Sequence, residues 1–75
     1  MPDYIRKVRL KTKRDELRAI LKNPDASHKE RLYLVGFLAH VGYSESDIND
    51  IIINHNQWTN FNEAITRYQV STALK

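Results

Sequence analysis

The sequence predicts an all-α protein, a small bundle of about four helices with a basic N-terminal arm. Three observations predict it. Apolar residues recur at helical spacing in four segments, residues that commonly cap helices precede these segments, and the 75-residue chain holds only two glycines and two prolines. We expect a single domain, with residues 1–11 as the arm and residues 12–75 as the helix bundle.

The arm allows two interpretations. Val8, Leu10 and Thr12 alternate with basic residues, which is typical of an extended arm or an edge strand. Ile5 and Val8 could equally share one face of a helix. We expect a partly ordered arm.

The first helix is predicted over residues 13–22. Thr12 is a suitable N-cap, and Asp15 places an acid in the first turn, where the helix dipole favours negative charge. Asn23 ends the helix, because the residue before Pro24 avoids the helical conformation. The apolar side of this helix consists of Leu17, Ile20 and Leu21.

The second helix follows Ser27, which has the spacing of a capping box with Glu30. It ends at Gly42, a residue that readily adopts the left-handed conformation of a helix C-terminus. Gly36 weakens the helix interior, so we expect another helix to cross closely there. Its broad apolar face consists of Leu34, Val35, Phe37, Leu38 and Val41.

The third helix follows Ser44, with Asp47 in its first turn, and frays over residues 54–56. Its apolar stripe consists of Ile48, Ile51 and Ile52. Consecutive isoleucines also favour β-structure, so a buried strand over residues 51–53 is the alternative. The preceding cap and the lack of a partner strand favour the helix.

A loop over residues 55–60 precedes the fourth helix, which begins at Asn60, with Glu63 three residues later, or at Asn62. Trp58 in this loop is either a lid on the core, which we favour, or a platform for stacking a base. The face of the fourth helix that we expect to pack against the core consists of Phe61, Ile65, Tyr68 and Thr72.

The net charge of +3 is unevenly distributed. Residues 1–31 carry ten basic and five acidic side chains, a net charge of +5, whereas residues 32–75 carry two basic and four acidic ones, a net charge of −2. Such asymmetry is typical of a surface that binds a polyanion, most often nucleic acid. A solvated basic tail is the alternative.

Composition argues against several chemistries. The chain has no cysteine, and therefore no disulfide, no cysteine-ligated zinc and no iron–sulfur cluster. Its three histidines form no metal-binding motif, and it has no glycine-rich phosphate loop. We expect a binding protein without cofactor or metal, not an enzyme. No apolar run could span a bilayer or serve as a signal peptide, so we expect an intracellular, cytoplasmic protein.

The start of the second helix is the main candidate binding site. His28, Lys29 and Arg31 fall in its first turn, where outward-pointing N–H groups and the helix dipole favour an anion. Arg31 suits phosphate oxygens, and His28 can donate a hydrogen bond or stack on a base. The alternative is that Arg31 pairs with a local acid and His28 is merely exposed. Further candidates for contact with nucleic acid are Lys11, Arg14, Arg18, Trp58 and Arg67.

Residues 27–70 resemble the helical C-terminal domain of the archaeal and eukaryotic DNA primase large subunit. They also resemble its cysteine-free relatives, the small accessory primase subunit of some archaea and the helix-bundle domain of plasmid primases. The order and spacing of the motifs agree over roughly 44 of 75 residues. The matching motifs are His28-x-x-Arg31, Phe37-Leu38, Gly42-Tyr43-Ser44, the isoleucine-rich third helix and, most specific, Phe61-Asn-Glu-Ala-Ile-Thr-Arg-Tyr-Gln-Val70.

This resemblance implies a non-catalytic primosome module of archaeal, plasmid or viral replication. Such a module binds single-stranded template or primer–template DNA, the initiating nucleoside triphosphate, or both, for a separate catalytic primase subunit or domain. The histidine and arginine that contact nucleic acid or triphosphate in that family correspond to His28 and Arg31.

The chain departs from the family at two places. Members with an iron–sulfur cluster have a cysteine where Asp15 or Glu16 stands, and their other cysteines lie beyond the last helix, so no cluster is expected here. The histidine that often follows the Tyr-Gln-Val block is replaced by Ser71 and Thr72, which implies fewer ligand contacts near the C-terminus.

A protein-interaction module is the alternative function, with Tyr33, Tyr43 and Trp58 as docking side chains and the arm as a basic tail. In that case, deletion of residues 1–11 would leave partner binding intact and weaken DNA binding. A helix-turn-helix regulator is less favoured, because the third helix is acidic and carries no basic residue.

Overall fold

The computed structural model describes residues 4–74, which form four α-helices and no strand. The helices are α1 (Lys11–Lys22), α2 (His28–His40), α3 (Glu45–His55) and α4 (Glu63–Ala73). Helices α2 and α3 pack together, and both α1 and α4 pack on this pair. The predicted all-α bundle is confirmed, and the alternative strand over residues 51–53 is wrong.

Local capping residues determine the ends of α2, α3 and α4. The Ser27 hydroxyl accepts from the Glu30 N–H at 3.1 Å and the Glu30 carboxylate accepts from the Ser27 N–H at 3.1 Å, which confirms the capping box. The side chains of Ser44 and Asn62 cap α3 and α4 by accepting from the N–H groups of Asp47 and Ile65. At the end of α2, Gly42 has a φ of 105°. The N–H groups of Gly42 and Tyr43 close the last turn in a Schellman arrangement.

Helix α1 begins differently from the prediction. It starts at Lys11, and its N-cap is Leu10 without any side-chain hydrogen bond, so the cap assigned to Thr12 is wrong. The Arg14 guanidinium instead donates to the carbonyls of Val8 and Arg9, at 2.9 and 3.1 Å. A side chain from within the helix thus holds the preceding backbone in place, which a local capping pattern does not reveal.

The segment 4–10 is part of the fold and not an arm. Ile5 and Val8 are buried in the core. The ring of Tyr4 stacks on His55 with centroids 3.7 Å apart, and the Lys7 N–H donates to the Tyr43 hydroxyl at 3.0 Å. The predicted arm is therefore wrong for these residues. Burial of two apolar side chains stabilises the packed segment, while the basic side chains of Arg6, Lys7 and Arg9 stay exposed to water. Residues 1–3 lie outside the described residues.

Helix α4 presents a different face to the core from the one predicted. Thr66 and Val70 are buried, whereas the side chains of Ile65 and Tyr68 are 55% and 73% exposed. The helix is thus turned by about one residue, or about 100°, from the prediction. Helix α4 has two short stripes that could each pack against the core, one with Ile65 and Tyr68 and one with Thr66 and Val70. Contact with α2 and α3 selects the second.

Two further features concern the interior. Gly36 is exposed and a methyl group there would meet no neighbour, so the predicted close helix crossing is wrong. Trp58 is only 6% exposed and donates from its indole nitrogen to the Ile20 carbonyl at 2.9 Å, as expected of a lid on the core. In the described part of the chain, no helix has the length and apolar character needed to cross a bilayer.

Candidate functional site

The start of α2 and one side of α4 enclose a polar cleft with a volume of about 270 Å³. Its walls consist of Ala26, His28, Arg31, Asn60, Asn62, Ile65, Thr66 and Gln69. No acidic side chain of residues 4–74 lines this cleft, and Arg31 supplies a permanent positive charge. The cleft is therefore electrostatically suited to an anion.

Arg31 is held in place by two neighbours. Its Nε donates to the Ala26 carbonyl at 3.1 Å, and its guanidinium lies 4.5 Å from the ring centroid of Trp58. Because Trp58 is itself fixed by its bond to Ile20, the guanidinium is pre-organised. Arg31 forms no ion pair with any acid of residues 4–74, so its terminal nitrogens remain available to a ligand.

His28 is joined to α4 across the mouth of the cleft. Its Nδ1 lies 3.2 Å from the Nε2 of Gln69. This contact joins the start of α2 to α4 and orients the ring of His28 within the cleft.

Neutral polar groups complete the walls. The side-chain oxygen of Asn62 caps α4 by accepting from the Ile65 N–H at 3.1 Å, which leaves the side-chain nitrogen of Asn62 to donate. Asn60 and the buried Thr66 add an amide and a hydroxyl. Together with Arg31, these groups can bind a charged end and a neutral polar part of one ligand.

The backbone at the start of α2 contributes less than its sequence suggests. The capping box already satisfies the N–H of Ser27 and of Glu30, and it places the Glu30 carboxylate at the helix start. Lys29 does not face the cleft but lines a separate groove between α1 and α2, with Tyr33. The structure thus brings together His28 and Arg31 and separates Lys29 from them.

The remaining predicted contacts lie elsewhere. Arg67 is outside the cleft and pairs with Glu63 on the exposed side of α4, at 3.6 Å. Lys11 is exposed at the start of α1. Arg14 binds the carbonyls of Val8 and Arg9, as described above. These cations do not join one surface with His28 and Arg31.

Arg18 and Trp58 have structural roles. Arg18 lies 3.7 Å from the Asp15 carboxylate and 5.9 Å from the ring centroid of Tyr4, and thereby borders the N-terminal segment. Trp58 packs against Arg31 and is buried, so it supports the cleft and is not an exposed base-stacking platform.

Sequence reasoning missed the α4 side of the cleft. Gln69, Thr66 and Asn60 were not among the predicted contacts, although the first two belong to the block that carries the resemblance. Their signal was the three-residue spacing of Thr66 and Gln69, which places both on one side of a helix. That signal becomes interpretable only when the rotation of α4 is known.

No group of three His, Cys, Asp or Glu side chains within residues 4–74 is placed to hold a metal ion. Comparisons of the chain with protein families, with curated proteins and with solved structures find no match. The resemblance to primase domains therefore rests on the sequence motifs alone.

Proposed function

We propose that this chain is a non-catalytic module that binds a phosphate-bearing ligand, a nucleoside triphosphate or the end of a nucleic acid, in the α2–α4 cleft. One observation carries the proposal. The cleft has no acidic wall residue and holds the guanidinium of Arg31 on Trp58 with its terminal nitrogens unpaired by any described acid. A planar guanidinium forms paired hydrogen bonds with phosphate oxygens.

The size of the cleft limits what it can enclose. Pockets that bury a whole drug-sized ligand measure roughly 300–1,000 Å³, whereas this cleft measures about 270 Å³. A phosphate group and part of the adjoining sugar or base would fit, and the rest of a nucleotide or strand would lie on the surface. The amides of Asn60 and Gln69 would then bind the neutral part.

The sequence resemblance supports a narrower assignment. His28 and Arg31, which correspond to the ligand-binding pair of the primase domain, lie on one wall of the cleft. The opposite wall includes Ile65, Thr66 and Gln69 of the most specific matching block. On this basis the ligand is template DNA, the initiating triphosphate or both, presented to a separate catalytic primase subunit.

Trp58 provides the direct test, because it is the only tryptophan and contacts Arg31. ATP, single-stranded DNA and primer–template DNA with a 5′-triphosphate are titrated at several salt concentrations while the indole emission is followed. We expect saturable changes whose log K falls with log salt by roughly 0.7 for each single-strand phosphate neutralised. No emission change, or no salt dependence, would contradict the proposal.

Variants then locate the ligand. His28→Ala with Arg31→Ala should weaken binding by about 10-fold to 100-fold, because charged hydrogen bonds are lost. Lys22→Ala removes one exposed charge outside the cleft and should change the ligand affinity by less than about twofold. Since Arg31 also packs on Trp58, His28→Ala with Gln69→Ala serves as a second pair that spares this contact. Unchanged affinity in folded samples of both pairs would exclude the cleft.

A further inference from the structure

A second groove lies between the N-terminal segment 7–10 and the C-terminal half of α2, with a volume of about 380 Å³. It shares no lining residue with the α2–α4 cleft. The lining residues that matter here are Lys7, Arg9, Leu10, Lys13, Phe37 and Val41. The groove combines an apolar part and a cationic part, and the described residues place no acid in its lining.

The apolar part is open to water. Leu10 is 65% exposed, the most exposed apolar side chain of the groove, and Phe37 and Val41 beside it are only half-buried. Covering such a surface with apolar side chains of a partner removes it from water and is favourable. A purely ionic ligand would gain nothing from these three residues.

The cationic part consists of three side chains. Lys7 lies 5.0 Å from the ring centroid of Tyr43, Arg9 is exposed, and Lys13 is hydrogen-bonded to the Tyr33 hydroxyl at 3.5 Å. Lys13 also pairs with the Glu16 carboxylate at 3.4 Å. The bond to Tyr33 is the main cause of the raised pKa of Lys13, and Glu16 is the second. Helix α1 also begins here without a side-chain cap and without an acid in its first turn, which adds to the positive potential.

The groove is already formed in the isolated chain. The carbonyls of Val8 and Arg9 are held by the Arg14 guanidinium, and the N–H of Lys7 is held by the Tyr43 hydroxyl. Ile5 and Val8 anchor the same segment in the core. A partner would therefore not have to order this segment when it binds, which favours affinity.

We propose that this groove docks an acidic segment of a partner protein in which Asp or Glu residues stand among Leu or Phe residues. The acids would pair with Lys7 and Arg9, since Lys13 already pairs with Glu16, and the apolar side chains would cover Leu10 and Phe37. This partner is favoured over nucleic acid, because phosphates would satisfy the cations but leave Leu10, the most exposed apolar side chain of the groove, in water.

The test uses a fluorescein-labelled synthetic peptide in which Asp and Glu alternate with Leu and Phe. Its matched control keeps every acid and replaces each Leu and Phe by Ser. Fluorescence anisotropy with the full chain should show saturable binding of the first peptide and at least about tenfold weaker binding of the control. Equal binding of the two peptides, or no binding of either, would overturn the proposal.

Variants separate the two parts of the groove. Leu10→Ser should lower the affinity for the peptide by about tenfold. Leu32 is an exposed leucine outside the groove, so Leu32→Ser should change this affinity by less than about twofold. Arg9→Ser should weaken it by about threefold, with Lys22→Ser as the control for loss of one charge. Both target positions are exposed, so the variants should fold.

Chemical-shift mapping decides between partners. The peptide should perturb residues 7–13 and 37–41, and His28→Ala with Gln69→Ala should bind it as the parent does. The proposal is wrong if single-stranded DNA displaces the peptide from these residues with an affinity insensitive to Leu10→Ser. It is also wrong if self-association of the chain buries the groove. Because the α2–α4 cleft is not involved, neither result bears on the function proposed for that cleft.

Discussion

The α2–α4 cleft and the N-terminal groove are both basic, but the cleft surrounds its cation with neutral polar groups and the groove surrounds apolar side chains with cations. The cleft holds one guanidinium, fixed between Ala26 and Trp58, among neutral amides. The groove, between residues 7–10 and the C-terminal half of α2, holds two lysines and an exposed arginine around Leu10. One guanidinium with hydrogen-bonding neighbours suits one small group of defined shape, whereas several charges spread around an apolar side chain suit a longer segment.

The same contrast is present in the helix starts that border them. Helix α2 begins with a complete capping box, whereas α1 follows Leu10, which provides no side-chain cap, and has Lys11 and Lys13 in its first turn. Helix α1 is therefore stabilised at this end by the contacts of Arg14 and of the buried N-terminal segment. Tertiary packing at one helix start does what local capping does at the other.

The largest expected effect comes from removing residues 1–8. The loss of Ile5 and Val8 from the core should destabilise the chain by at least about 3 kcal/mol, which approaches the whole stability of a domain this small. Urea unfolding followed by circular dichroism measures it. Arg6→Ser, an exposed position in the same segment, should change the free energy of unfolding by less than about 0.5 kcal/mol. A truncated chain as stable as the parent would restore the view of a dispensable arm.

The next effect concerns the support of the cleft. Trp58→Leu should cost about 2–3 kcal/mol, because it removes a buried ring and the hydrogen bond to Ile20, and it should also weaken ligand binding by releasing Arg31. Thermal unfolding gives the change in stability. The change in ATP affinity is measured by calorimetry, because the variant lacks the fluorescent tryptophan. Tyr68→Leu, the same kind of change at an exposed position, should alter neither.

Ser27→Ala tests the capped helix start. Loss of the hydroxyl that accepts from the Glu30 N–H should destabilise the chain by about 1 kcal/mol, which thermal unfolding measures. At the other helix start, Thr12→Ala should cost less than about 0.5 kcal/mol, because Thr12 caps nothing. Equal effects of the two substitutions would remove the distinction between the helix starts.

The smallest effect is a gain. Leu10→Asp places an acceptor at the uncapped start of α1, beside cations, and should stabilise the chain by about 0.5–1 kcal/mol. The same change should abolish docking of the acidic peptide, because it replaces the apolar centre by a like charge. Urea unfolding and anisotropy on one sample measure both. A variant that gains stability and still binds the peptide would show that Leu10 is not the docking side chain.

The prediction of the fold succeeded where each decision was local. The caps at Ser27 and Ser44, the left-handed Gly42 and the buried stripe of α3 all depend on residues within one or two helical turns. For α4 the sequence left Asn60 and Asn62 as alternative starts, and Asn62 is the cap. These signals act through the backbone hydrogen bonds of the segment itself. They could therefore be read before any tertiary contact was known.

The sequence predicted one wall of the candidate site and not the other. The α2 wall followed from a histidine and an arginine at a helix start, but the α4 wall depends on which stripe of α4 is buried. The apolar residues Ile65 and Tyr68 suggested one stripe, and Thr66 and Val70 form the other. Their hydropathies differ too little to decide, so the choice depends on the shape of the surface that α2 and α3 present.

The sequence by itself determined that this protein is a bundle of four helices, that Ser27 and Ser44 cap α2 and α3, and that residues 1–31 carry the excess of positive charge. Tertiary structure alone decided that the N-terminal segment joins the core, that Arg31 lies on Trp58, and that Gln69 faces His28. The physical reason is sequence distance. Gln69 and His28 are 41 positions apart, Trp58 and Ile20 are 38 apart, and no local pattern encodes contacts of that range.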